Sequence, residues 1–432
     1  MVKLFNVKAS FAGSFKLIIF VRVKITEVQM KKILPFALLI PFLAACSSSS
    51  LMNKPEAELK EYSKALADKM LIIDTHFDTP MNLLHGDADF SKSYPQGNFD
   101  YPRAKEGGLK VPFWAAYISA SYNDSSSAVA YTDRILDSID KFCGEHTDKF
   151  MMVKTPEEIF ANYNNGKILV ALGIENGAAI QDELGNLKHF YDRGVRYMTL
   201  THSRNNKICD SSFDPERKWN GLSPYGVQVV KEMNRLGMMV DVSHVSDSTF
   251  YQVIRLSKAP IIATHTACRY FTPGLERNMS DEMIKLLAAK GGVIQINFGS
   301  GFLNQKVIDK SNRDREAINK YMEENKLKRN DPAAREFVKK YYETNPPMYA
   351  DVKDLAEHID HVVKLVGIDY VGIGSDFDGL GDSLPNGIKD VSGYPNLIYE
   401  LLKMGYSEED IAKVMGGNFM RVWQKVNQLK GL

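Results

Sequence analysis

The chain has 432 residues, 44% of them hydrophobic and 25% charged, with a formal net charge of +1. That is ordinary globular composition, long enough for a large core. The near-neutral balance leaves no basic footprint for nucleic acid and no acidic tail.

Taken in chain order, the first readable element is a leader. From Met30 the sequence runs MKKILPFALLIPFLAACSSSS, with two lysines, an apolar run from Ile33 to Phe42, small residues and then Cys46. This is the pattern of a secretory signal over residues 30–45, and the apolar run is too short to span a bilayer as a helix. LAAC followed by serines resembles the bacterial lipobox, in which the cysteine becomes the lipidated first residue. The other reading is a plain signal peptide with an incidental cysteine. Residues 1–29 read as an extra leader or a misassigned start, with Met30 the true start. Residues 46–65 read as a lipidated polar tether, which predicts a bacterial cell-envelope protein on the periplasmic or outer-membrane face. Only Cys143, Cys209 and Cys268 follow, an odd number without zinc-finger spacing. Isolated thiols are expected rather than a disulfide framework.

From residue 66 onward, short apolar runs alternate with helical patterns. The strand candidates are 71–76 (LIIDTH), 111–119 (VPFWAAYIS), 168–175 (ILVALGIE), 196–202 (RYMTLTH), 238–244 (MMVDVSH), 260–265 (PIIATH), 292–297 (GVIQIN) and 370–376 (YVGIGSD). Helical segments are expected over 225–237, 246–258, 280–291 and 351–367. Ser246 and Ser280 stand at N-cap positions, and Gly237, Gly291 and Gly367 at C-cap positions. Near-continuous apolar strands alternating with helices indicate a parallel sheet, and eight such units indicate a (β/α)8 TIM barrel. A doubly wound open sheet is the alternative, but the chain has no GxGxxG.

The strand ends carry the chemistry. His76 and Asp78 end the first strand and, two residues apart, point the same way. Glu175 ends the third, His202 the fourth, His244 the fifth, His265 the sixth and Asp376 the eighth. In a barrel these ends meet at the face where active sites sit. Histidines, a His-x-Asp pair and a glutamate form a ligand set for a borderline divalent metal, zinc above all. A glutamate lying between the groups suits a bridge between two ions that hold a hydroxide and polarise a carbonyl or phosphoryl group. Taken singly, Glu175 also reads as an ion-paired barrel residue and His244 as a helix cap.

The stretches IDTHFDTP, GIENG, YMTLTHSRNN, DVSHVS, PIIATHTACR, ERNMSDE, VGIGSDFDG and GGNFMRV, in that order, resemble the successive motifs of the membrane dipeptidase (renal dipeptidase) family of zinc metallopeptidases. The resemblance runs from about Leu71 to Val422. It implies a (β/α)8 barrel with two Zn2+ per chain, hydrolysing dipeptides with free termini through a metal-bridging hydroxide. It places one zinc on His76 and Asp78 and the other on His244 and His265, with Glu175 bridging. His202 falls at a substrate-binding histidine that stabilises the oxyanion, and Arg277 at the arginine that grips the substrate carboxylate. Asp376 falls at the residue that meets the amino group and shuttles a proton. The resemblance also implies a homodimer. These roles suit a short zwitterion, since a guanidinium fork fits a carboxylate and a carboxylate fits an ammonium.

Phe302 departs from the family, standing where some members have a pocket tyrosine. Residues 304–347 form a charged insertion that reads as a solvated helical hairpin near the catalytic face, with a lid as the other reading. His358 and His361 have helical spacing but belong to a helix descending from that face, so packing is expected of them rather than ligation. DFDGLGD lacks the full calcium-loop pattern. His85, His146 and His189 have no partner motif, and Trp114 and Tyr117 read as core or rim. Two rival functions remain open from sequence: another binuclear-metal amidohydrolase acting on N-acyl amino acids, lactams or esters, and a non-catalytic, lipid-anchored binding protein.

Overall fold

A computed structural model describes residues 55–86 and 88–431, so Cys46, the leader and the first part of the tether lie outside the described residues. Nine strands are present: β1 (Ile72–Phe77), β2 (Leu109–Tyr117), β3 (Phe150–Met152), β4 (Ile168–Glu175), β5 (Val195–Thr199), β6 (Met239–Asp241), β7 (Ile262–Thr266), β8 (Val293–Ile296) and β9 (Val371–Ile373). All pairings are parallel, in the order β1-β2-β4-β5-β6-β7-β8-β9. The seam closes just past the last strand, where Asp78 N–H donates to Phe377 O (2.9 Å) and Asp376 N–H to His76 O (3.1 Å). This is the expected eight-stranded (β/α)8 barrel.

β3 was not foreseen. It pairs with the first half of β4, Phe150 opposite Ile168, while β2 takes over from Ala171 onward. Three residues are too few to show any periodicity.

The apolar residues divide between two sides of the strands. Ile72 and its neighbours pack outward against the helices. Ile73, Val111, Phe113, Leu169, Ala171, Tyr197, Met239, Ile262 and Val293 form a second cluster with Phe419 and Trp423 of the helix Asn418–Gln428. That helix plugs the end of the barrel where strands begin. Asn418 donates to the Ile368 and Val371 carbonyls, and Arg421 to those of Gly291, Gly292 and Asp369. The opposite mouth is left for chemistry.

The expected caps are present: Ser246 accepts from Thr249 N–H and Ser280 from Met283 N–H, and Gly237 closes its helix at φ 76°. The tether reading needs correction. Residues 56–69 form a helix with Leu59, Leu66 and Ala67 buried, packed on the helix Tyr394–Lys403. Polar composition hid an apolar stripe at i, i+7, i+8. The insertion is a hairpin of helices Gln305–Glu324 and Pro332–Thr344 around Ile318, Met322 and Ala334, with Tyr321 stacked on Phe337 at 3.5 Å. Among the described residues Cys143, Cys209 and Cys268 are free and buried, and no helix is long and apolar enough to cross a membrane.

His358 is packed rather than ligating. Its Nδ1 accepts from Cys268 N–H (3.1 Å), and its Nε2 lies 2.9 Å from Leu303 O. Both ring nitrogens are thus used in the neutral form, and a second proton would face the Cys268 N–H. Burial lowers its pKa to about 4 from an ordinary 6.5. The unfolded chain takes up this proton below about pH 6.5 and the folded chain only near pH 4, so stability is lost as pH falls through that window. At roughly 1.4 kcal/mol per pH unit the penalty reaches about 3 kcal/mol. Urea midpoints should therefore fall between pH 6.5 and 4.5 more steeply for the native chain than for His358→Gln. Parallel curves would refute this.

A candidate metal centre at the barrel mouth

Glu175 is the last residue of β4 and shares the inner face with Leu169, Ala171 and Gly173, at two-residue spacing. Four imidazoles surround it. His244 Nε2 and His265 Nε2 lie 3.1 and 3.2 Å from Oε1, His202 Nε2 lies 3.7 Å from the same oxygen, and His76 Nε2 lies 3.5 Å from Oε2. His76 stacks on His265 with centroids 3.7 Å apart, and His244 Nε2 is 2.8 Å from His265 Nε2.

The strands deliver these groups less directly than their sequence implies. His76 and His265 lie within β1 and β7, and Asp78 directly follows β1. His202, His244 and Asp376 each stand three residues beyond the last residue of β5, β6 and β9. His244 and Asp376 have φ of 67° and 63°, a left-handed conformation that costs a non-glycine residue of order 1–3 kcal/mol. Each turns back over the mouth instead of ending a strand. Gly379 keeps the space open, since a Cβ there would lie 2.1 Å from Asp78 Oδ2 and 2.5 Å from Asp376 Oδ1.

All eight predicted site residues in the described chain converge. Asp78, Glu175, His202, His244, Arg277 and Asp376 line one cavity of about 440 Å³, with His76 and His265 packed directly behind Glu175. Three ligand groups have donor atoms within 4.8 Å of one another: His76/Glu175/His265, Glu175/His202/His244, and His76/Asp78/Asp376. Glu175 belongs to two of them, as a bridge requires. The geometry also brings His202 and Asp376 within ligand range, beyond the five expected ligands. Buried His76 Nε2 and Asp78 Oδ1 have no hydrogen-bond partner, and nitrogen and oxygen donors without thiolate suit a borderline divalent cation. The residues fit a metal.

The electrostatics agree. Against burial, the surrounding histidines, His202 and His76 foremost, hold the Glu175 carboxyl well below the usual range. Burial, with Glu175 adding, pushes Asp78 well up. Burial is the largest influence on Asp376 and carries it to about 6 against the pull of His76. For His76 the carboxylates overcome burial and raise it to about 10. Burial and Arg277 push His244 well down, while burial and His76 do so for His265. The carboxylates draw positive charge to His76, while His244 and His265 are held in the neutral form that binds metal.

Arg277 is 4% exposed, and burial lowers its guanidinium to about 10. Nη2 donates to His265 O (2.6 Å), the guanidinium carbon lies 5.4 Å from the Phe302 ring centre, and Nε and Nη1 have no partner. Asp376 Oδ2 accepts from Asn297 Nδ2 (2.9 Å).

Of the two residues read as core or rim, the structure puts Tyr117 at the rim, and Met81, Phe213, Leu380 and Asp378 are site members that the sequence reading missed. Tyr117 lines the cavity with its ring edge-on to His202 at 4.9 Å, whereas Trp114 is core as expected. Met81, Phe213 and Leu380 form the apolar walls. Asp378 also lines the cavity, but Thr79 Oγ1 and Asn98 N–H donate to its carboxylate. Only their distant strands make these residues neighbours. His146 and His189 pair with Asp89 and Asp133, His361 pairs with Asp281, and exposed His85 ends a short helix. None of the hairpin residues 305–347 lines the cavity.

A family model described as membrane dipeptidase, peptidase family M19, matches residues 60–431. An uncharacterized dipeptidase of Schizosaccharomyces pombe is 32% identical over 86% of this chain and 84% of its own. Dipeptidase 3 of Mus musculus is 29% identical over 87% of this chain and 68% of its own. The crystal structure of the probable dipeptidase PvdM from Pseudomonas aeruginosa superposes with a TM-score of 0.73 at 28% identity, covering 86% of this chain and 99% of that one. The barrel, the cluster around Glu175 and these matches agree: the chain belongs to the membrane dipeptidase family and is a peptide-bond hydrolase.

Proposed function

We propose that the chain is a zinc-dependent dipeptidase that holds two zinc ions and cleaves dipeptides with both termini free. The observation that carries this reading is one buried carboxylate, Glu175, with four histidine nitrogens 3.1–3.7 Å from its oxygens. His76 and Asp78 would hold one ion and His244 and His265 the other, with Glu175 shared. Bound there, the ions would supply Lewis-acid polarisation of the scissile carbonyl and a water nucleophile acidic enough to react at neutral pH.

The remaining steps fall to the chain's own groups. Arg277, with Nε and Nη1 unpartnered, receives the substrate carboxylate as a fork. Asp376 meets the substrate ammonium and then passes a proton to the leaving amine, a task suited to a carboxyl raised to about 6. His202 is kept neutral by burial and donates one N–H to the developing oxyanion. Met81, Phe213, Phe302 and Leu380 exclude water around the substrate side chains. The lipobox at Cys46 supports an anchored envelope protein, and palmitate labelling lost in Cys46→Ala would test it.

The deciding experiment titrates zinc into chelated residues 47–432 while following amino-acid release from L,L- and L,D-dipeptides, tripeptides and N-acetyl dipeptides. Activity returning at two ions per chain, on free dipeptides alone, is expected. Zinc uptake with cleavage only of acylated substrates would transfer the site to the amidohydrolase alternative.

A further inference from the structure

Behind the candidate metal centre lies another buried carboxylate, Asp241, at the end of β6 and fully inaccessible. It receives five hydrogen bonds. Ser243 N–H and Oγ–H and Thr264 N–H reach Oδ1 at 3.0, 2.9 and 2.9 Å. Thr199 Oγ1 and Thr264 Oγ1 reach Oδ2 at 2.5 and 2.6 Å. Asp241 does not line the cavity at the barrel mouth. Its consequence lies one bond further on, where Thr264 Oγ1 stands 2.8 Å from His265 Nδ1.

The direction of that last hydrogen bond follows from proton count. Both Asp241 oxygens are taken up as acceptors by five donors, two of them backbone N–H groups, so the one hydroxyl proton of Thr264 goes to Asp241. The hydroxyl oxygen is then an acceptor, and His265 Nδ1 must carry the hydrogen. This leaves the lone pair on Nε2, which faces Glu175 Oε1 at 3.2 Å and His244 Nε2 at 2.8 Å, a gathering of acceptors that a cation would relieve. We propose that Asp241, acting through Thr264, is a positioning residue that fixes the tautomer and ring orientation of His265 for metal binding. The inference rests on the two-zinc reading.

His76 offers the contrast within the same molecule. Its Nδ1 faces Tyr197 Oη at 2.9 Å, and a phenol can donate as readily as accept, so that hydrogen bond by itself imposes no tautomer. The His265 side is therefore prepared before metal arrives and the His76 side is not.

Two measurements test the relay. In metal-free, histidine-labelled protein, long-range 1H–15N spectra should show His265 as the Nδ1–H tautomer in the native chain and in Thr264→Ser, and should lose that signature in Thr264→Val. In zinc titrations against a competing chelator, Thr264→Val should weaken one of two binding constants by about 10–100-fold, with Thr264→Ser restoring it. A Thr264→Val protein with both native constants and an unchanged tautomer would overturn the proposal, whatever its melting temperature. Failure of the native chain to bind two ions would refute the two-zinc reading instead, and the metal-free spectrum would still decide the relay.

Discussion

Glu175→Gln is expected to lower kcat/KM on dipeptides by about 10³-fold or more, equivalent to about 4 kcal/mol of transition-state stabilisation. Glutamine keeps the volume but removes the charge that four histidines share at 3.1–3.7 Å. An amide oxygen is a poor bridge between two cations, so zinc content should fall below two per chain, measured by elemental analysis after gel filtration. The barrel itself should survive, because Glu175 lies at the mouth and the apolar clusters do not involve it. A variant that retained two ions and activity within tenfold of native would remove Glu175 from the centre of the mechanism.

The second large effect concerns Arg277. Substitution by methionine is expected to cost roughly 2–5 kcal/mol of dipeptide binding, the range for losing one partner of a buried charge pair. That is a fall of about 30- to 5,000-fold in kcat/KM, carried mostly by KM. The physical ground is the buried guanidinium whose Nε and Nη1 have no protein partner. The readout that separates recognition from general damage is a C-terminally amidated dipeptide. The native enzyme should discriminate against it strongly, while Arg277→Met should turn over both forms at similarly low rates. Equal discrimination in the two proteins would place the carboxylate elsewhere.

How far the sequence foretold this site depended on how far each residue stands from its strand. His76, Glu175 and His265 sit in regular strands, so two-residue alternation places them correctly. His244 and Asp376 were expected to end strands because DVSH and GIGSD continue the apolar pattern, yet both lie in left-handed turns beyond the ladder. Hydrophobic alternation does not register positive φ at a histidine or aspartate. The contact of Tyr197 with His76 was illegible for another reason. It depends on Gly173 one strand away, where a Cβ would lie 2.1 Å from the tyrosine ring. Asp241 lies inside the stretch MMVDVSH with nothing in the sequence to single it out, and only the threonines and serine of neighbouring segments reveal it as a hub. The helix over 56–69 was lost to polar composition, and β3 to its brevity.

The seam of the barrel has a consequence for biogenesis. β1 is hydrogen-bonded to the segment after β9, pairing Phe77 with Phe377, and Gly416 lies so close to β1 that a Cβ would sit 2.4 Å from the Leu71 carbonyl. β1 is thus completed by a stretch about 300 residues further along the chain, made roughly 15–60 s later at ordinary elongation rates. Until then one side of β1 is an open edge able to pair with other chains, and Asp376 is not yet available to the site. Ribosomal arrest before β9, or proteolytic loss of the segment from β9 onward, therefore yields no half-active enzyme, only an aggregation-prone fragment for quality control to remove.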